Sequence, residues 1–303
     1  MIIPFIKYSK IWLAIGVVTV AVSLAALVVW RLEPGIDFTG GSLLELSFSA
    51  NRPSSEAIKP LFTEAGFNDT VVQKSGDQKM IVRTNFLSEE QHQAILKNIR
   101  GQFGKNGAEI REERFETIGS AVSSQLRQRA IWAIIAVSLG IVLYMAYAFR
   151  KVSRPVASWK YGTVAVLAMI HDIILVLGVF AVLGHFKGVE VDIAFVVALL
   201  TVLGFSVNDT IVVFDRVREN LQLRKSDDFS TMVNNGLNET LMRSINTTLT
   251  VLIPLGALYF LGGPTIHYFA LALFIGMASG AYSSIFIASP LLAMVEKWQR
   301  RVA

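Results

Sequence analysis

Long apolar blocks, unbroken by charge and not spaced at amphipathic intervals, dominate the chain. Six of them, near 11–30, 130–149, 161–184, 193–214, 244–262 and 266–295, are long enough to cross a hydrocarbon core about 30 Å thick at about 1.5 Å per helical residue. The pattern predicts an α-helical polytopic membrane protein with six transmembrane helices. The first block outruns the apolar part of a signal peptide, and no small-x-small cleavage site follows it, so it is expected to remain as an uncleaved anchor.

Between the first two blocks the period changes. "SLLELSF" (42–48) alternates as a strand does, and "SSEAIKPLFTEAG" (54–66) predicts a capped helix ended by Gly66. "TVVQKSG" and "QKMIVRTNF" predict two strands joined by a turn at 75–77. "SEEQHQAILKNIRGQFG" (88–104) predicts a second helix with Ser88 as N-cap, and "AEIREERFETIG" (108–119) a closing strand. The order β-α-β-β-α-β is that of the ferredoxin-like split fold. The expected organisation is therefore residues 1–30 (N-terminus and first span), 31–128 (an α+β ferredoxin-like domain) and 129–303 (spans two to six).

Composition agrees: of 303 residues 53% are hydrophobic and 17% charged, against about 25% charged in soluble domains. The absence of cysteine excludes disulfides, thiolate metal sites and thiol catalysis. The net charge of +5 invites a nucleic-acid reading, but its distribution favours membrane topology. Lys7 and Lys10 precede the first span; Arg150, Lys151, Arg154 and Lys160 fill the connection between the second and third; Lys297, Arg300 and Arg301 close the sixth. By the positive-inside rule both termini are cytoplasmic and 31–128 lies outside. That outer segment carries 12 Lys/Arg against 13 Asp/Glu, a nearly neutral surface. It holds no nucleophilic triad and no metal-ligand spacing, so a binding or lever domain is expected, with no cofactor. Nucleotide-loop, zinc-protease and nucleophile-elbow motifs are missing, which predicts a non-enzyme that does not itself draw on ATP.

The candidate chemistry lies inside the spans. Asp209, beside Asn208, sits roughly 9 Å of helix rise inside the inner end of span four. His171 and Asp172 fall near the middle of span three. Span five opens with Arg243, then Asn246, Thr247 and Thr248, with Thr250 continuing the polar stripe. A charge within a bilayer costs several kcal/mol unless it is paired or neutralised, which makes such residues functional candidates. Asp209 and Arg243 fall at similar depth on consecutive spans and are expected to pair, with Arg216 as a local alternative; the pair serves either helix packing or function. His171 either hydrogen-bonds a neighbouring helix or takes part in function. A carboxylate moved through 100 mV exchanges about 2.3 kcal/mol per charge, so proton-coupled conformational change is the physical reading, and sodium suits the same oxygens. Two further small-residue features stand out. Gly40 and Gly41 in "GIDFTGGS" form a turn or hinge ahead of the outer domain. Gly276 and Gly280 in "GMASG" permit close helix contact, within the chain or with a partner.

"GIDFTGGS", "AMIHDIIL", "FSVNDTIVVFDRVREN", "TLMRSINTTLT" and "GGPTIHYFALALFIGMASGAYSSIFIAS", in that order, resemble the SecF family of the bacterial SecD–SecF protein-export complex, within the resistance-nodulation-division (RND) superfamily of proton-driven transporters. The resemblance implies one half of a twelve-helix pseudo-symmetric bundle in the bacterial inner membrane, completed by a separate SecD chain, since no SecD half is fused here. It implies a place beside the SecYEG channel, with SecA acting indirectly, YajC/YidC-type accessory proteins nearby, and unfolded polypeptide as substrate. The proton-motive force would assist the late, outward stage of export. The family's proton-responsive Asp and Arg map onto Asp209 and Arg243, and its "HD" pattern onto His171 and Asp172. The alternatives are an RND-type efflux half-transporter and a non-motor scaffold of the channel.

Overall fold

The computed structural model describes residues 2–49, 52–104, 109–149, 158–223 and 228–302. The basic stretch with Arg150, Lys151 and Arg154 lies outside these residues, as do Ala108 and the side chains of Arg300 and Arg301. In chain order the elements begin with α1 (Ser9–Trp30), a short α2 (Ile36–Thr39), β1 (Gly41–Phe48), α3 (Ser55–Glu64), β2 (Val71–Ser75) and β3 (Lys79–Thr84). There follow α4 (Glu89–Phe103), β4 (Ile110–Ile118), α5 (Ser120–Ala148), α6 (Ser158–Lys187), α7 (Ile193–Leu223) and α8 (Phe229–Leu261). The chain ends with α9 (Pro264–Ser283), a π-helical segment Ser284–Ala288, and α10 (Ser289–Val302). Its contacts fall into two units, Met1–Glu33 with Ile131–Ala303, and Pro34–Ala130.

Among the described residues six helical stretches are long and apolar enough to cross a membrane: Ile6–Trp30, Ser120–Ala148, Trp159–Lys187, Ile193–Leu223, Phe229–Leu261 and Ile266–Gln299. In the helical unit α6, α7 and the α9–α10 stretch are the most buried, while α1, α5 and α8 bury little of their surface. Lipid tails supply no hydrophobic drive between helices, so close backbone approach over small residues holds them. Gly178 of α6 lies against α1, where an added Cβ would stand 2.4 Å from that of Ser23. Gly276 and Gly280 put α9 on α7: added Cβ atoms would stand 2.3 Å from Val202 and 3.0 Å from Ser206. At one end of the unit Phe149 stacks on Tyr161 at 5.2 Å, with Phe214 edge-on to both.

Hydropathy places the facing ends of α7 and α8 near 214 and 244, yet α7 runs to Leu223 and α8 starts at Phe229. Ion pairs sustain these polar turns. Arg216 donates to Glu219 on its own helix and to Glu239 on α8, each at 2.6 Å, and Asn220 donates to the same Glu239 at 2.9 Å. Arg216 is therefore committed to these carboxylates and is not Asp209's partner. Arg218 pairs with Asp215 three residues before it, at 3.3 Å.

The second unit follows its hydrophobic periods. Four strands form one sheet in the order β2-β3-β1-β4, with every neighbouring pair antiparallel. Leu44, Leu46 and Phe48 alternate inward along β1, with Leu44 opposite Val82 and Leu46 opposite Met80 of β3. Ile58, Leu61 and Phe62 of α3 and Ile95, Leu96 and Ile99 of α4 cover that face. Ser88 caps α4 with a complete capping box, its hydroxyl accepting from the Gln91 N–H while the Gln91 side chain accepts from the Ser88 N–H. Gly40 and Gly41 both adopt positive φ, +76° and +109°. An added Cβ on Gly41 would stand 2.4 Å from the Thr84 carbonyl oxygen, so this turn requires glycine.

Candidate functional site

Three polar residues of α8, Thr240, Ser244 and Thr248, recur every fourth position and are buried. That spacing stacks them on one helix face, which is turned into the bundle. Asp209 of α7 is buried opposite, and Ser244 donates to its Oδ1 at 2.7 Å. The Asp209 Oδ2 and the Thr248 hydroxyl have no hydrogen-bond partner among the described residues. An ionised carboxylate offers about four lone-pair sites, and here the hydroxyls of Ser244 and, close by, Ser284 are the donors at hand. Buried polar groups are nearly always satisfied, and exceptions mark strain or function.

The expected Asp209–Arg243 ion pair does not form. Arg243 is exposed on α8, as are Asn246 and Thr247, and Thr247 donates to the Arg243 carbonyl. The physical reason is rotational. Consecutive helix residues lie about 100° apart, so a face that buries Ser244 turns Arg243 outward. Asn208, likewise, is exposed on α7 beside the buried Asp209. Of the residues singled out on these two spans, the structure thus inserts Asp209 and Thr248 into the bundle and leaves Asn208, Arg243, Asn246 and Thr247 on its surface.

One turn along α7, a second acid is surrounded. Asp172 of α6 is fully buried. Its Oδ2 accepts from Ser206 of α7 at 2.6 Å and from Ser283 of α9 at 2.7 Å. Its Oδ1 accepts from Ser279 of α9 at 2.7 Å and lies 3.0 Å from the His171 Nδ1. The other ring nitrogen of His171 faces Thr19 of α1 at 3.2 Å. Four helices therefore meet at the His171–Asp172 pair. Gly276 and Gly280 set this geometry by bringing the serine face of α9 onto α7.

Next to it the π segment begins at Ser284. Its hydroxyl bonds that of Thr210 at 2.9 Å and donates to the Gly280 carbonyl at 2.9 Å. A π-helical turn inside an α-helix is rare and often sits at a functional site. Sequence reasoning missed Ser206, Ser244, Ser279, Ser283, Ser284 and Thr19, all serines and threonines in apolar surroundings. The available signal was spacing: Ser279 and Ser283, like Ser244 and its neighbours on α8, repeat at four. Among the described residues no group of three or more His, Asp or Glu is arranged to hold a metal ion.

A multi-pass helical membrane protein whose bundle encloses two carboxylates on facing helices is the class that fold and site define. The chain belongs to the SecD/SecF family: residues 99–298 match "Protein export membrane protein SecD/SecF, C-terminal", and residues 31–51, which include Gly40 and Gly41, match the "SecD/SecF GG Motif". Its relatives include the protein translocase subunit SecF of Thermobaculum terrenum, 44% identical over 286 residues, covering 89% of this chain and 86% of that one. The SecF of Synechocystis sp. is 38% identical over 274 residues, covering 88% and 84%. Among solved structures, SecDF of Thermus thermophilus, described as a translocon-associated membrane protein, superposes with a TM-score of 0.83 at 32% identity. That match covers 99% of this chain and 39% of the solved one, so the chain spans about two fifths of that protein. The protein is accordingly a multi-pass protein of the bacterial inner membrane, and its relatives are named for transport.

Proposed function

We propose that the chain works with a SecD partner as the SecF half of a proton-driven export complex, assisting the late, outward stage of Sec-dependent translocation. The single observation that carries this reading is Asp209: a buried carboxyl on a membrane-spanning helix, met only by serine hydroxyls and with Oδ2 unpartnered among the described residues. Such a group is best accommodated neutral, and ionising it would leave most of its lone pairs dry. Gain and loss of its proton then biases the packing of α7 against α8 and the π segment. Asp209 and Arg243 are the proposed coupling residues, with Asn208, Asn246 and Thr247 in support. The latter four lie on exposed faces, and exposed polar groups at membrane depth require cover. SecD is the cover we propose, completing an RND-type twelve-helix bundle.

We read the Pro34–Ala130 unit as a ferredoxin-like lever outside the membrane, with Gly40 and Gly41 at its hinge; its interleaved strand order β2-β3-β1-β4 supports this. Basic residues before α1 and after α10 support cytoplasmic termini. SecYEG is the neighbour and unfolded polypeptide the substrate in this reading; SecA and YajC/YidC-type proteins act around it.

The test is late-stage translocation of an export substrate into vesicles under an imposed proton gradient, comparing wild type with Asp209→Asn. The substitution is expected to leave assembly with SecD intact and to abolish the gradient's stimulation. Undiminished stimulation refutes the motor and leaves a scaffold. A drug-tolerance defect without an export defect favours efflux.

A further inference from the structure

His171 admits a hydrogen count that fixes more than its neighbours. Three serine hydroxyls reach the Asp172 carboxylate, Ser283 being nearer to it at 2.7 Å than to the Gly280 carbonyl at 3.2 Å, and the fourth lone-pair site faces His171 Nδ1, 3.0 Å away, which completes the shell as a donor. The other ring nitrogen lies 3.2 Å from the Thr19 hydroxyl oxygen. Thr19 has one proton to give, and it also lies 2.9 Å from the Gly16 carbonyl, which can only accept. With the Thr19 proton on Gly16, the contact is a hydrogen bond only if His171 Nε2 carries the hydrogen. The ring is then doubly protonated, and with Asp172 it forms a buried pair of zero net charge. If His171 loses that proton, the Thr19 hydroxyl must turn from Gly16 to the ring, and a lone negative charge is left amid four helices.

We infer that His171, held between Asp172 and Thr19, is a second proton-binding site of the transport cycle, coupling α1 to the α6–α7–α9 contact. This inference rests on the proton-driven reading given above and extends it to a group separate from Asp209. Among the described residues the surroundings contain no competing charge. Among the described residues, the titratable groups facing His171 are Asp172 on its own helix and Tyr282 of α9, whose ring centroid is 6.2 Å away. Tyr282 donates to the Trp12 carbonyl of α1 at 3.2 Å. From α1 come Thr19 and Gly16, and from α7 comes Ser206, whose hydroxyl reaches Asp172. No lysine or arginine among the described residues lies within ion-pair range of Asp172. The charge balance of this core therefore depends on one histidine proton.

The experiment uses the complete complex with SecD, reconstituted in vesicles and carrying ¹⁵N-labelled histidine. The His171 resonance is identified by its loss in His171→Gln. The expected result is a ring protonated on both nitrogens at neutral pH in wild type and on one in Asp172→Asn. In the same vesicles His171→Gln is expected to lower gradient-driven export at least tenfold and to change its pH profile, with SecD still bound. Thr19→Val, which removes the hydroxyl from both His171 and Gly16, is expected to change the ring's protonation and the pH profile while preserving assembly, and it carries the test if His171→Gln fails to assemble. A singly protonated wild-type ring overturns the inference, as does a Thr19→Val profile that superimposes on wild type. Loss of export in Asp209→Asn alongside a wild-type profile in His171→Gln overturns this inference and leaves the proposed function standing. A gradient response surviving in Asp209→Asn refutes that function whatever the state of the His171 ring.

Discussion

Replacing Gly276 with alanine tests how tightly α9 is seated on α7. The new Cβ would stand 2.3, 2.8 and 3.1 Å from Val202 Cγ2, Cγ1 and Cβ. Carbon atoms prefer about 3.5–4.0 Å, so the shortfall approaches ~1 Å at the closest atom. Rotating Val202 offers little relief, because a β-branched side chain in a helix has one strongly preferred rotamer and its Cβ is itself too close. The helices must separate, at a cost of about 1–3 kcal/mol. Val202→Ala removes both offending methyls. Alone it loses their burial, at about 0.8 kcal/mol each, plus a cavity term. Combined with Gly276→Ala it is expected to recover about 1–2 kcal/mol relative to additivity, because the added methyl occupies the vacated space. The assay is thermal unfolding in detergent of wild type, both single variants and the double. Gly140→Ala on α5, where an added Cβ meets nothing within 4 Å, serves as control. A stable Gly276→Ala, or strictly additive losses in the double, would show that the close approach does not hold the bundle.

Gly41→Ala is expected to destabilise the Pro34–Ala130 unit, through both positive φ and the collision with Thr84, whereas Gly101→Ala in the exposed last turns of α4 gains about 0.5–1 kcal/mol; differential melting of the two variants distinguishes them. Ser88→Ala breaks the capping box and is expected to lower stability by about 1 kcal/mol, seen first as faster amide exchange at the start of α4. A cysteine placed at Asn246, on the exposed polar face of α8, is expected to cross-link to SecD in intact membranes, and exclusive labelling by a lipid-soluble probe counts against SecD as its cover.

The elements with a strong period were legible. Uninterrupted apolar runs predicted all six spans, and alternation with capping signals predicted the four strands β1–β4 and the helices α3 and α4, though not the short α2 or the start of α5 at Ser120. Depth within the membrane was legible too, because it follows from counting residues along a helix. Azimuth was not. Arg243 and Ser244 are neighbours in sequence and equally deep, yet Ser244 alone meets Asp209, since the buried face of α8 is chosen by packing against α7. The serine shell of Asp172 was hidden for a related reason. Its donors come from two other helices, and a hydroxyl within a span is unremarkable until its partner is known. The extensions of α7 and α8 depended on Arg216 and Glu239 finding one another between helices, which no local pattern encodes. The π segment left no trace in hydropathy.

That segment also bears on which changes in length the sixth span can absorb. A π turn, wider in radius, holds one residue more than its α-helical equivalent. Deleting a residue within Ser284–Ala288 would allow ordinary winding, and the backbone could close without a gap. Everything beyond it would then keep its azimuth, because the extra residue is absorbed within the π turn, and Leu292 and Ala293 would stay enclosed. A shortened chain of this kind would present the same side of α10 to its surroundings, whereas the same deletion a turn further along would not.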